Sequence, residues 1–359
     1  MRIIIKYLLI CFFALSKVAA QDPHYTQYFA APMLMNPALT GFFNGDVRGS
    51  VCYRNQWPSV QYPYTTGTFS VDANMLKRIL KEGDVMGIGF TGLFDKSNNG
   101  GLKTNALSAS FAYHKLLDQY GVNRLSVGAM ATYNTRLLDY SKFVFGQQLT
   151  PLGFNSNLPT GEPINGFSTN YLDYSVGIIY SAITEETSFY CGGALYHFNQ
   201  PIESFNGPIH KIKPRIVANA GGSFTVGESN KMLLSAAYMN AEFTNDLIFG
   251  AAYSKSLVDE DYNLIMGAWY RYNDAVSPYV GLGYRNYRLG ISYDVNVSKL
   301  TPASNLKGGF EITLSYLFTK NPESSGNAGF NFGSPGNSYQ SEGGYKCPKG
   351  SSNLRWFGY

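Results

Sequence analysis

The sequence predicts an all-β fold: a transmembrane antiparallel β-barrel of about 14 strands, with an N-terminal plug-like segment and a flexible C-terminal tail. The first observation is alternation. Tyr287, Leu289, Ile291, Tyr293, Val295 and Val297 alternate with Arg288, Gly290, Ser292, Asp294, Asn296 and Ser298. Phe310, Ile312, Leu314, Tyr316 and Phe318 then alternate with Gly309, Glu311, Thr313, Ser315 and, as the exception, Leu317. Successive strand side chains point to opposite faces, so each run has one apolar face and one polar or small face. Composition is the second observation, and it decides what the apolar face meets. Charged residues are 14% of the chain, against roughly 25% in ordinary soluble proteins, while aromatics reach 15%. Few charges with many Tyr, Phe and Gly suit a wall facing hydrocarbon between aromatic girdles better than a sandwich of two sheets. Third, the connections alternate between short and long, as in outer-membrane barrels.

The chain starts with an address. Arg2 and Lys6 flank the apolar runs Ile3–Ile5 and Tyr7–Leu15, and Val18-Ala19-Ala20 supplies small residues before Gln21. This reads as a secretory signal peptide over residues 1–20, cleaved after Ala20. Cys11 lies inside the hydrophobic run and is not a lipoprotein anchor. The rest of the chain holds no continuous apolar stretch of about 18 residues, which excludes a transmembrane helix. Removing Arg2, Lys6 and Lys17 lowers the basic count from 28 to 25 against 24 acidic residues. The mature chain is nearly neutral, so nucleic acid is excluded as a partner class. Three widely spaced thiols remain, Cys52, Cys191 and Cys347, which do not form a disulfide scaffold.

Residues 21–45 do not alternate. Pro23, Pro32 and Pro37 interrupt a stretch dense in aromatic and apolar side chains, too hydrophobic to be a free tail. It is expected to plug the lumen or the periplasmic mouth, the alternative being a strap outside the first strands. The barrel occupies residues 46–319. Its strands are expected at 46–56, 63–73, 84–95, 102–115, 122–134, 171–182, 187–198, 212–226, 230–240, 246–256, 261–272, 276–285, 286–298 and 309–319, with 187–198 and 230–240 alternating poorly. With a periplasmic N-terminus, Met75–Gly83, Leu116–Gly121, Ile183–Glu186, Gly227–Ser229, Leu257–Glu260 and Arg285–Asn286 become periplasmic turns. The first has helical spacing at Met75, Leu76, Ile79 and Leu80. Arg136–Asn170, Asn199–Lys211 and Lys299–Gly308 become outer loops. Residues 320–359 form a periplasmic tail rich in Gly, Asn and Ser, ending in an aromatic stretch.

Chemistry is sparse. Gly87-Ile88-Gly89-Phe90-Thr91-Gly92 matches a dinucleotide pattern, but it lies within an alternating strand with no helix after it, so its glycines read as small inward-facing residues. His24, His114, His197 and His210 have no partner at metal-ligand spacing, and no cofactor is implied. His114 shares parity with Ser108 and Ser110, on a face that looks away from lipid, unlike a lipid-hydrolysing site. Arg48, Arg54, Asp173, Arg271, Arg288, Asp294 and Glu311 fall on the inward face, where a charge escapes the roughly 2–4 kcal/mol cost of lipid exposure at mid-depth. They read either as a salt-bridged ladder holding wall or plug, which the mixed signs favour, or as a selective channel lining.

Several motifs in order resemble the PorP/SprF family of type IX secretion system membrane proteins. These are Gln21-Asp22-Pro23 with Gln27-Tyr28, Asn36-Pro37-Ala38, Tyr53-Arg54-Asn55-Gln56-Trp57, Gly267-Ala268-Trp269-Tyr270-Arg271 and Gly290-Ile291-Ser292-Tyr293-Asp294. In Gly309-Phe310-Glu311-Ile312, Phe310 replaces the family's usual His, and Cys347-Pro348 resembles a Cys-Pro near the family's end. The resemblance implies a non-enzymatic outer-membrane barrel serving secretion and gliding motility. Its implied partners are outer-membrane lipid, a secreted adhesin or its C-terminal signal domain, and periplasmic components of the secretion machinery. The alternative is an open porin-like channel for small solutes. Phe143, Phe145, Phe154 and Phe167 in the longest outer loop are the expected partner contacts, and Cys347, Pro348, Trp356 and Phe357 those of the tail.

Overall fold

The computed structural model describes residues 25–58, 62–75, 80, 83–161, 168–184, 186–205, 210–227, 230–242, 244–257, 262–298 and 306–319. The signal peptide, residues 21–24, the helical spacing at Leu76 and Ile79, Phe167 and the tail residues Cys347, Pro348, Trp356 and Phe357 lie outside them.

Fourteen strands close into one antiparallel barrel. They are β1 (Val47–Gln56), β2 (Tyr64–Met75), β3 (Val85–Ser97), β4 (Leu102–Leu116) and β5 (Asn123–Leu138). There follow β6 (Ser168–Ile183), β7 (Thr187–Tyr196), β8 (Arg215–Val226), β9 (Asn230–Ala241) and β10 (Thr244–Ser256). The last are β11 (Tyr262–Arg271), β12 (Ala275–Tyr284), β13 (Tyr287–Asn296) and β14 (Lys307–Phe318). Each pairs with its sequence neighbour, and β1 pairs with β14 from Val47↔Phe318 to Gln56↔Gly309, so the first and last strands leave no free edge between them.

Every expected strand is present, and its alternation is the wall's inside-outside pattern. In β12, buried Ala275, Ser277 and Tyr279 alternate with exposed Val276, Pro278 and Val280. The outward face carries Val51, Val71, Ile88, Leu107, Val127, Ile178, Leu234, Val280 and Leu314, all more than a third exposed, as a wall in lipid requires. Aromatics gather at both ends of this band. At the short-turn end, Tyr262 stacks on Tyr284 and Tyr287 meets Tyr316, each pair with ring centroids 4.6 Å apart. Tyr53, Tyr133, Tyr238 and Tyr293 mark the other end. The turn between β12 and β13 is Arg285-Asn286, and Arg285 takes φ 49°, the left-handed conformation that a two-residue hairpin loop imposes.

One glycine faces opposite to expectation. Gly87 and Gly89 point inward, whereas Gly92 shares parity with exposed Phe90 and Phe94 and lies under the Phe69 ring on the outer surface.

The core lies in the lumen. Residues 25–46 run through it, with single turns at Tyr28–Ala30, Pro32–Met35 and Pro37–Leu39. Pro32 and Pro37 each open a turn, where a missing N–H and a fixed φ are no cost. Tyr28, Met35, Ala38, Leu39, Phe42 and Phe43 pack with inward Ile179, Tyr190, Val217, Leu233, Trp269 and Leu317 in one buried cluster.

Candidate functional site

The site is the seat of this N-terminal segment together with the mouth above it. Two charged clamps hold the segment, one at each end. The first joins Arg54 of β1, Arg271 of β11, Asp294 of β13 and Glu311 of β14, each no more than 3% exposed. Arg54 pairs with Glu311 and, at 2.8 Å, with Asp294; Arg271 Nη2 lies 2.7 Å from the same Asp294 oxygen. Two guanidinium groups face two buried carboxylates inside a low-dielectric lumen, and Arg271 Nε also pairs with the more exposed Asp274 at the cluster's edge. The cluster's spare acceptors are spent on the segment. Glu311 takes the backbone N–H of Thr26 on one oxygen, at 2.7 Å, and that of Gln27 on the other, at 2.8 Å. Thr26 Oγ1 donates to Asp294 at 2.8 Å, as does Ser277 at 2.6 Å. Gln27 is fully buried, donating to Ser292 and accepting from Thr313.

The second clamp is at the opposite end. Arg48 makes a two-point contact with Asp72 at 2.9 and 2.6 Å, and Asp72 also accepts the N–H of Gly41 at 2.7 Å. The guanidinium lies 4.6 Å from the Phe43 ring centroid. Asp72 escaped the sequence reading, although its parity with Thr66, Thr68 and Ser70 on β2 was the available signal.

Between the clamps, Asn36 fixes the middle. Its amide nitrogen donates to Gly193 O at 3.1 Å and to Asn219 at 3.2 Å, while its oxygen accepts from Ala38 N at 2.9 Å. A short amide side chain supplies two N–H donors and a separate carbonyl acceptor, which lets it bridge wall and segment at once. The wall opposite is glycine: a Cβ on Gly128 would lie 2.5 Å from the Pro37 carbonyl and Ala38 N, and one on Gly177 would strike Asn36. His114 holds the segment further on. Its Nε2 is 2.8 Å from the Thr40 carbonyl, which only accepts, so Nε2 carries the proton and Nδ1 accepts from Ser126 at 2.7 Å. That role is structural.

Of the motif residues, Gln27, Asn36, Pro37, Arg54, Arg271, Asp294 and Glu311 thus converge on the segment's seat. Gln56 and Trp57 stand half-buried at the rim, Trp57 edge-on to Tyr64 with centroids 5.5 Å apart. Tyr293 and Phe310 face outward, so the replacement of His by Phe310 adds to the lipid-facing surface. Asp173 meets His197 at 2.9 Å on the inner wall, and Arg288 is half-buried.

At the mouth, Phe143 and Phe145 are half-buried and flank the Tyr140 ring. The loop instead exposes Val144, Leu149, Leu152 and Phe154, Leu152 completely. Arg136 of β5 pairs with Glu203 of the short Ile202–Glu203 strand that follows β7. Among the described residues, no group of three metal-ligating side chains comes together.

Solved structures similar to this chain are barrels of other kinds. A Pseudomonas aeruginosa FadL homologue matches over 80% of this chain and 94% of its own, at 10% identity and TM-score 0.49. The monoaromatic hydrocarbon channel CymD matches over 81% and 93%, at 10% identity and TM-score 0.46. The translocator domain of the autotransporter NalP from Neisseria meningitidis matches over 77% and 89%, at 11% identity and TM-score 0.37. No curated protein matches the chain. Residues 17–316, spanning the whole clamp and nearly the whole wall, match the family described as type IX secretion system membrane protein PorP/SprF, and the chain belongs to that family.

Proposed function

We propose that this outer-membrane barrel of the type IX secretion system is a closed, non-enzymatic anchor. It binds a secreted adhesin at its outer mouth and secretion machinery at its periplasmic face. One observation carries the reading: the lumen is filled by residues 25–46, tied at both ends by buried charge. An open channel for small solutes would have to expel a segment whose Gln27, Asn36, Ala38 and Thr40 are fully buried. Exposed Leu149, Leu152 and Phe154 supply an apolar contact surface at the long-loop end, of the sort that partners cover. β14 ends at the short-turn end, which supports a tail that contacts machinery on the periplasmic side.

The signal peptide is removed in this reading, and the mature protein begins at Gln21. Planar-bilayer recordings test the closed state: the intact barrel is silent, and deleting Gln21–Gly41 produces conductance. Equal conductance in both overturns it. Affinity purification from native membranes with mass spectrometry tests the anchor role. Recovery of neither a secreted surface protein nor a secretion component overturns that part.

A further inference from the structure

The outside of the wall carries charge of a single sign. In the described wall strands each arginine, aspartate and glutamate has inward parity, and the outward charges are lysines. Lys96, Lys103 and Lys307 lie at the long-loop end, Lys115 and Lys255 at the short-turn end. Two of them stand face to face. Lys96 of β3 is the direct cross-strand partner of Lys103 of β4, and both share the outward parity of exposed Phe94 and Leu107. Like charges directly opposite on one sheet face repel and destabilise the pairing. A third cation joins them. Lys142, in the first turn of the long loop, donates to the Asn99 carbonyl at 2.8 Å. A Cβ on Gly100 would lie 3.3 Å from Lys142 Nζ and 3.4 Å from Lys103 Cε, so the two lysine ends meet there. Asp139 lies in the field of both Lys142 and Lys103. Among the described residues, cations thus outnumber acids on this part of the outer rim.

We propose that Lys96, Lys103 and Lys142 bind the phosphate of an outer-leaflet lipid, a phosphomonoester headgroup that lies between the facing lysines and ties the base of the long loop to the rim. This site does not depend on the anchor reading. Depth supports it first. Lys96 stands two residues above Phe94, a rise of about 5 Å along a tilted strand. The headgroup layer beyond the hydrocarbon is itself about 5–7 Å deep. Lysine stems run along apolar surface and hold the ammonium in such a layer. The surface beneath suits acyl chains. Phe69 stacks on Phe94 with ring centroids 6.1 Å apart and meets Phe90 at 6.0 Å, and both Phe94 and Phe90 are exposed. Charge is the second support. A phosphomonoester carries about −1.5 to −2 charges near neutral pH, enough to offset the two facing lysines. Lipid is also the neighbour that this face of the wall always has. Asp139 N donates to Gly101 O at 2.7 Å, which fixes the start of the long loop beside the pair and lets one headgroup touch wall and loop together.

The test uses the full-length barrel in detergent, titrated with diphosphorylated lipid A, phosphatidylcholine or inorganic phosphate and read by native mass spectrometry. Lys96→Gln with Lys103→Gln removes the facing pair. Lys115→Gln with Lys255→Gln removes two outward lysines at the other rim. The first double variant should bind lipid A about 30-fold more weakly than wild type, and the second should bind it unchanged. Phosphatidylcholine should not distinguish the three proteins. Undiminished lipid A binding in the first variant, or an equal loss in both, overturns the site. Inorganic phosphate that binds alone with the same lysine dependence overturns the lipid as its occupant. Unfolding temperature guards against a merely structural effect. Without lipid A the first variant should melt no lower than wild type, because a repulsion has been removed, and with lipid A the order should reverse. A variant that melts lower in both conditions overturns the proposal, since the lysines would then support the wall itself.

Discussion

Arg54 and Asp294 meet at 2.8 Å although their strands, β1 and β13, do not touch; β14 lies between them, and the pair spans it on the luminal side. The bond therefore reinforces the seam where the sheet closes while presenting its spare acceptors to Thr26. Removing one partner of a buried pair strands the other charges. Arg54→Ala leaves Asp294 and Glu311 short of a cation and is expected to cost about 3–5 kcal/mol. Urea unfolding in lipid vesicles measures it, and a cost under about 1 kcal/mol counts against the clamp.

Glu311→Gln keeps the shape of the carboxylate but turns one acceptor into a donor facing a donor. The hydrogen bonds lost are charge-assisted, each worth about 1.5–3 kcal/mol. Cys52 reports the outcome, since its thiol is 2% exposed and packs with Tyr25. In a background lacking Cys191 and Cys347, a water-soluble maleimide should leave wild-type Cys52 unlabelled and label it in Glu311→Gln. Equal labelling shows that the segment's start is not held there.

Gly128→Ala tests the fit at mid-lumen. The new Cβ would lie 2.5 Å from the backbone at Pro37 and Ala38, an overpacking that costs about 1–3 kcal/mol. Intermittent conductance should appear in bilayer recordings. Gly49→Ala, with no atom within 4 Å of the added carbon, serves as the silent control.

Asp118 gives a pH dependence at the 117–122 turn. Slight desolvation pushes its carboxyl up, but N–H groups of Asn123, Val122 and Tyr120 outweigh it and hold the carboxyl below the usual range. A depressed carboxyl stabilises the folded turn above its unfolded value of 3.8 and loses that contribution as pH falls through the lower folded value. Amide exchange at Tyr120, Val122 and Asn123 should therefore lose protection only below the ordinary carboxylate range. Asp118→Asn should show reduced protection that does not vary through that range.

Sidedness can be read on intact cells. Leu152→Cys, at the exposed tip of the long loop, should react with a membrane-impermeant thiol reagent, whereas Tyr120→Cys, in a short turn, should react only after lysis. The reverse pattern inverts the barrel.

The strands were legible because two solvents, hydrocarbon outside and a polar lumen inside, impose a period of two on the sequence. The places where alternation weakened have one cause. In β7 and β9, inward Tyr190, Ala194, Tyr196, Leu233, Ala237 and Met239 are apolar because the segment fills the space water would otherwise take. Leu317, the lone exception in β14, is fully buried facing Gly45. The clamp was half legible. Arg54, Arg271, Asp294 and Glu311 could be placed on the inward face by parity, but their convergence from four strands depends on register and curvature that parity does not encode. The mouth was least legible: aromatic content favoured Phe143 and Phe145, whereas local turns tuck these against Tyr140 and leave aliphatic neighbours outermost.

The direction in which the segment traverses its own cylinder has a further result. Thr26 is bound near the finishing end of β1, yet Asp46, just before β1 starts, bonds to the closing residues of β14 and the end of β2. The polypeptide thus runs down the axis from the long-loop end to the short-turn end before turning back up as wall, which leaves Tyr25 at the long-loop end. With the long loops outside the cell, an antibody epitope inserted directly ahead of Tyr25 would be displayed to the environment, while one placed after Phe318 would be hidden beneath the envelope's outer layer.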